Sequence, residues 1–284
     1  MRPGYRILSY GVVRAACSYD ERVRVRIIFF GDIVGRPGRG AIHHVLPRWQ
    51  AAYKPDIVLA NGENAAAGMG ITPPVAEELF GAGVNVLTLG NHTFSRKEAQ
   101  QLLVDEARIL RPANYPPGVP GYGYGTFPAG RQRLGVVSWL GRTFMEALDD
   151  PFQQAKMLIP LLREQTHCIL IDVHAEATSE KAALAWMLDG QVSAVLGTHT
   201  HVPTADNRVL PGGTAFITDV GMVGPRNSIL GVERELIIAR FLTHMPTRFE
   251  VAGGPVVVNA VLIEVDEATG HAISIQRLEE FIDG

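Results

Sequence analysis

The sequence predicts an α/β protein: a largely parallel sheet with helices outside it, and a second sheet, drawn from the final third of the chain, packed against the first. Three observations lead there. Short β-branched apolar runs alternate with helical stretches through the first two-thirds of the 284 residues. Strand signals dominate afterwards, over residues 214–219, 247–251, 256–265 and 272–278, with one helical stretch near 232–242. Hydrophobic residues make up 46% and charged residues 19%, which excludes a largely disordered chain.

Each element has a local reason. Residues 25–30 are apolar and β-branched, and Gly31-Asp32 ends that strand. Pro37 suits the first turn of a helix running to about residue 53. Residues 56–60 form a second strand, ending in Asn61-Gly62-Glu63-Asn64. Thr72 is placed to cap a helix opening with Pro73-Pro74. Residues 85–89 form a third strand, ending in Gly90-Asn91-His92, and Ser95 is placed to cap the next helix. Residues 111–130 are rich in Pro, Gly and Tyr and read as a long surface loop. Residues 134–140 form a strand, and 151–165 a helix that Pro160 should kink. Residues 168–173 form a strand ending in His174, and residues 179–188 a helix. Residues 192–196 form a strand ending in Gly197-Thr198-His199-Thr200-His201.

Composition narrows the class of function. The formal charge of −3 argues against a dedicated nucleic-acid surface. The alternation Arg22-Val23-Arg24-Val25-Arg26 reads as the exposed face of an edge strand. The two cysteines, Cys17 and Cys168, fit neither a disulfide framework nor a cysteine zinc site. No apolar run reaches the roughly 18 residues that a membrane helix needs, and a cytoplasmic location is expected. Residues 1–23 carry Arg2, Arg6, Arg14 and Arg22, and their apolar stretch is broken by Arg14, unlike a signal peptide. They read as a poorly structured extension ahead of a single domain spanning residues 24–284.

Five of the expected strands end in residues able to bind metal: Asp32; Glu63 and Asn64; Asn91, followed by His92; His174; and His199 with His201. In open α/β sheets ligands bind outside the carboxyl ends of the strands, so these residues should converge on one edge. Each alone has a plain structural reading, as a turn former, a helix cap or a hydrogen-bonded buried histidine. Jointly that reading would need every one of them at a strand end by accident. Carboxylate, amide oxygen and imidazole suit manganese, iron or zinc better than calcium or Cu(I). Seven candidate ligands (Asp32, Glu63, Asn64, Asn91, His174, His199, His201) are too many for one tetrahedral ion. They are enough for two octahedral ions sharing a carboxylate.

In order and spacing, these motifs resemble the calcineurin-like metallophosphoesterases, and more closely their bacterial YmdB-like branch. The segments Gly31-Asp32-Ile33-Val34-Gly35-Arg36-Pro37-Gly38, Arg111-Pro112-Ala113-Asn114-Tyr115-Pro116 and His174-Ala175-Glu176-Ala177-Thr178-Ser179-Glu180-Lys181 carry the closer likeness. The resemblance runs from about Arg24 to the C-terminus. It implies a four-layer α/β/β/α sandwich and a dinuclear centre of divalent or trivalent transition-metal ions, iron or manganese. It implies hydrolysis of a small-molecule phosphodiester, a 2′,3′- or 3′,5′-cyclic nucleotide. The wider superfamily opens with Asp-x-His, where this chain has Asp32-Ile33-Val34, and its bridging Asp is here Glu63. Both departures fit the YmdB-like branch, with Asn64 to fill the vacancy.

On this resemblance Glu63 is expected to bridge the ions. Asp32, His201 and Asn64 complete one site, and Asn91, His174 and His199 the other. A metal-bound hydroxide would attack phosphorus while His92, at the rim, protonates the departing alkoxide. Glu176 is expected beside His174 in a supporting shell, and Asn114 as a substrate contact. The alternatives are a phosphomonoesterase or nucleotidase on the same site, and a nucleotide-sensing regulatory protein without useful turnover. A homo-oligomer is left open.

Overall fold

The computed structural model describes residues 24–283, so the expected N-terminal extension lies outside the described residues. The first sheet takes β1 (Arg24–Ile33), β2 (Ile57–Asn61), β3 (Val86–Thr88) and β4 (Ile109–Leu110). Helices α1 (Gly35–Tyr53), α2 (Pro73–Gly81) and α3 (Ala99–Asp105) connect them. The middle of the chain supplies β5 (Tyr124–Ala129), β6 (Gln132–Leu140), α4 (Pro151–Arg163), β7 (Cys168–His174), α5 (Thr178–Met187) and β8 (Ala194–Thr198). The last part holds β9 (Arg208–Val209), β10 (Ala215–Ile217), β11 (Met222–Pro225), α6 (Arg234–Thr243), β12 (Val256–Asp266) and β13 (Ala272–Ile282).

Two sheets result, a seven-stranded one ordered β13-β12-β11-β1-β2-β3-β4 and a six-stranded one ordered β5-β6-β7-β8-β10-β9. The alternation of β1 shows why they stack. Ile28 and Phe30 face a core shared with α1, α2 and α3, while Ile27 and Phe29 face the opposite way. There they meet Leu134, Val136, Leu170 and Leu196 of the second sheet. The far side of that sheet packs Val137, Ile169, Ile171 and Val195 against α4 and α5. The layers are therefore α/β/β/α. A strand apolar on both faces is what a doubly covered sheet requires, and each such side chain contributes about 1.5–3 kcal/mol on burial.

The structure corrects several expectations. The C-terminal strands do not build the second sheet: β12 pairs antiparallel with β1, and β13 with β12, so both widen the first. The second sheet comes mostly from the middle of the chain, β5 to β8, joined from the last part only by β9 and by β10, which lies within the expected strand 214–219. β1 is consequently interior rather than an edge, and Arg24 and Arg26 sit on one face, where both reach Glu264. The expected loop 111–130 contains an edge strand, β5, whose Gly and Pro obscure it. Residues 247–251 form no strand; only Val251 makes an isolated bridge, to Val232. Thr72 stands at the N-cap of α2, but its hydroxyl makes no capping bond. Ser95 caps nothing, because α3 begins only at Ala99.

Candidate metal centre

The two sheets carry their parallel strands to a common edge. In β1 the register to β2 shifts between Phe30 and Asp32, so that Asp32 stands opposite Asn61 at the end of both strands. Asp32, Glu63 and His174 are buried, as is Asn64 just beyond β2. Asn91 and His92 follow β3, His174 ends β7, and His199 and His201 follow β8. Gly90 makes room for the cluster: a Cβ there would overlap the His174 ring.

All seven expected ligands come together. His174 Nε2 lies 2.9 Å from Glu63 Oε1, 3.0 Å from Asn91 Oδ1 and 3.0 Å from His199 Nδ1. His201 Nε2 lies 3.1 Å from Asn64 Nδ2 and 3.8 Å from Asp32 Oδ1, and Asn64 Nδ2 lies 3.3 Å from Glu63 Oε1. The His199 main-chain N–H donates to Asp32 Oδ2 at 3.1 Å, and that of His92 to Glu63 Oε2 at 2.9 Å. The contacts form two sets that share Glu63.

The donor set fits cations. Ligand atoms of Glu63, His174 and His199 all lie within 4.8 Å of one another. Asp32 Oδ1 is buried without a hydrogen-bond partner. The outer nitrogen of each imidazole is tied to a fixed acceptor: His174 Nδ1 to Thr198 Oγ1 at 2.9 Å, His199 Nε2 to Glu176 Oε2 at 3.2 Å, and His201 Nδ1 to the Leu230 carbonyl at 2.9 Å. In each case the other nitrogen points inward. This is how metal-binding histidines are oriented and kept in the right tautomer.

Electrostatics agree with that reading. Burial pushes the Asp32 carboxyl up to about 6, against the pull of His201 and His174. Burial works to raise Glu63 as well, but the facing His174, with its hydrogen bond, and His92 hold it down at about 2. Burial alone would lower the His174 imidazole, yet Glu63, Asp32 and Asp172 push it up to about 9. Burial and the neighbouring His174 hold His199 down at about 3, leaving it neutral. Without metal, the His174 proton is the positive charge on which the carboxylates converge.

Two weaker expectations separate. Glu176 is at hand, but its carboxylate pairs with His199 rather than with His174. Asn114 is no substrate contact. It is fully buried, and its amide is spent on the backbone, giving to the Leu140 and Asp149 carbonyls and accepting from the Leu140 N–H.

Sequence reasoning missed the polar layer beneath the ligands. Buried Asp172 accepts from Asn61 Nδ2 at 3.0 Å, Thr88 Oγ1 at 2.5 Å and Thr198 Oγ1 at 2.7 Å. Thr198 thereby links Asp172 to the His174 ring. The signal was present: Asp172 and His174 are two apart on one strand and so share a face. Also missed was the backbone of the last two ligands. His199 has φ 98° and His201 φ 65°, each costing about 1–3 kcal/mol for a side chain with a Cβ.

Known proteins resemble this chain over most of its length. A 2′,3′-cyclic-nucleotide 2′-phosphodiesterase of Bacillus subtilis (strain 168) is 49% identical over 254 residues, 89% of this chain and 96% of that protein. A crystal structure of a hypothetical protein from Thermus thermophilus superposes with a TM-score of 0.85 at 45% identity, covering 90% of this chain and 99% of the other. That of a novel phosphatase from Mycoplasma pneumoniae gives a TM-score of 0.86 at 34% identity, covering 92% and 94%. The pattern describing the YmdB-like protein family matches residues 28–278, which contain every ligand candidate above, and the chain belongs to that family.

Proposed function

We propose that this protein is a metal-dependent phosphoric diester hydrolase whose substrates are cyclic nucleotides, the 2′,3′-cyclic forms foremost and the 3′,5′-cyclic forms second. One observation carries the reading: three imidazoles, each anchored at its outer nitrogen, turn their inner nitrogens into one cluster with buried Glu63 and Asp32. The similarity to the Bacillus enzyme, over nearly all of its length, supports the substrate class.

Two transition-metal ions, iron or manganese, fit the donors. Asp32, Asn64 and His201 would hold one, Asn91, His174 and His199 the other, with Glu63 shared. Bound there, such ions supply Lewis-acid polarisation of the phosphoryl oxygens and a water whose pKa falls to about 7.

The chain's own groups do the rest. The His92 main-chain N–H is fixed on Glu63 Oε2, which pins this residue beside the shared carboxylate. Its half-buried side chain has Ser95 Oγ 3.4 Å from Nδ1, which leaves Nε2 to hand a proton to the departing alkoxide. Proton transfer of this kind contributes about 10²–10⁴ in rate. Glu176 keeps the His199 Nε2 proton in place, and Asp172 acts likewise on His174 through Thr198.

The test is hydrolysis of 2′,3′-cyclic AMP and 3′,5′-cyclic AMP with Mn²⁺ or Fe²⁺ supplied, beside bis-p-nitrophenyl phosphate and p-nitrophenyl phosphate. Diester turnover well above monoester turnover is expected. Turnover of p-nitrophenyl phosphate alone would move the assignment to a phosphomonoesterase.

A further inference from the structure

Lys181 is fully buried in the first half of α5, where a charged side chain is costly unless paired. Its ammonium donates to Asp219 Oδ2 at 2.8 Å and to the Thr198 carbonyl at 2.7 Å. The same Asp219 oxygen accepts the Thr200 N–H at 3.1 Å, and Asp219 Oδ1 accepts the Gly221 N–H at 2.8 Å. Lysine and aspartate therefore grip the main chain on both sides of His199. Gly221 in turn offers its carbonyl to the Asp32 N–H at 3.0 Å, which ties the grip to β1. Gly197 lets these groups pack closely: a Cβ there would overlap the Thr218 carbonyl and also sit 2.7 Å from Lys181 Cδ.

What the pair grips is unfavourable backbone. His199 and His201 both occupy positive φ, a region that residues with a Cβ visit uncommonly, histidine among the less reluctant of them. Such conformations persist where the surroundings over-determine them. In a relaxed extended loop, His199 and His201 would share a parity and point the same way. Here one imidazole meets His174 and the other meets Asp32 and Asn64, in different halves of the centre.

We propose that the buried Lys181–Asp219 pair is a positioning clamp that holds His199-Thr200-His201 in its strained form, and so sets the affinity of the centre for metal. This rests on the metal reading above. Among the described residues the Lys181 ammonium bonds only the Thr198 carbonyl and Asp219, and no ligand side chain. It acts through the Thr198 carbonyl and, by way of Asp219, through the Thr200 amide.

The test removes the clamp without leaving a buried charge unpaired. In Lys181→Met/Asp219→Asn both charges go and the side-chain volumes are nearly kept. Lys181→Gln/Asp219→Asn, which also removes both charges but keeps a polar group at each place, is the second variant, should the first not fold. Cooperative melting by circular dichroism confirms the fold, and calorimetric titration of chelated protein with Mn²⁺ gives the Kd. A folded variant whose Kd for Mn²⁺ is weaker by about 10–100-fold supports the clamp. An altered Mn²⁺ electron paramagnetic resonance spectrum would accompany it. Phe29→Leu, a change in the core between the sheets, should lower the melting temperature and leave the Mn²⁺ Kd unchanged, separating positioning from general stability. A folded clamp variant that binds Mn²⁺ with the wild-type Kd overturns the clamp and leaves the metal reading standing. Failure of the wild-type protein itself to bind Mn²⁺ overturns both.

Discussion

The same strands make two regions of opposite character a few residues apart. Between the sheets, β1 contributes Phe29, β7 Leu170 and β8 Leu196, all fully buried among apolar neighbours. At their carboxyl ends these strands give way to Asp32, His174 and His199, which are crowded, titratable and in part strained. The interior stores stability, and the edge uses some of it to hold together groups that would rather separate. A local rule broken at one end of an otherwise consistent fold marks the working end. Changes in the first region should therefore cost folding and spare chemistry, and changes in the second the reverse.

The largest break in that division comes from Phe29→Ala. Deleting a fully buried aromatic ring between the sheets should cost about 3–5 kcal/mol in denaturant unfolding, with turnover per folded molecule unchanged. A selective loss of turnover would show that the two regions are not separable. His92→Ala acts from the other side. It should cut diester turnover by about 10²–10⁴ while stability and metal content hold. Loss of metal in that variant would make His92 a ligand instead of an acid.

A smaller effect sharpens the contrast through pH. His174 carries a folded-state pKa of about 9 against an ordinary 6.5, so folding favours its protonated form. Below pH 6.5 the group is protonated in folded and unfolded chains alike, and its contribution is complete. Between 6.5 and 9 only the folded chain keeps the proton, and the contribution falls away. Chelated protein should melt at a lower temperature at pH 9 than at pH 6.5. Mn²⁺ should raise the melting temperature more at the alkaline end, because the metal competes with that proton. A melting temperature that rises across this window without metal would contradict the charge assignment.

The two regions also differ in how much of them could be read beforehand. The candidate ligands were legible because each sits in a short motif at the end of an apolar strand, and strand ends converge whatever the sheet order. The order itself was not legible. The alternation in β12 marks a strand but does not say that its partner is β1, more than two hundred residues earlier. Edge strand β5 was hidden by Gly125 and Pro128, and the short β4 and β9 are too brief to show a period. Asn114 misled because a polar residue in a motif carries no sign of whether its amide faces a cavity or the backbone. Lys181, met only as the end of a family-like segment, and Asp219, at the end of an expected strand, showed no role for a related reason. A lysine on a helix reads as solvated surface until the tertiary contacts bury it.

The central claim is that the carboxyl-end edge is a two-metal centre for diester hydrolysis, and its most direct test is titration of chelated protein with Mn²⁺ while turnover of 2′,3′-cyclic AMP is followed. About two ions bound per chain, with turnover appearing as they bind and lost in Asn91→Ala, is the predicted result. Folded protein that takes up neither Mn²⁺ nor Fe²⁺, or that hydrolyses the diester equally well under chelation, would contradict it.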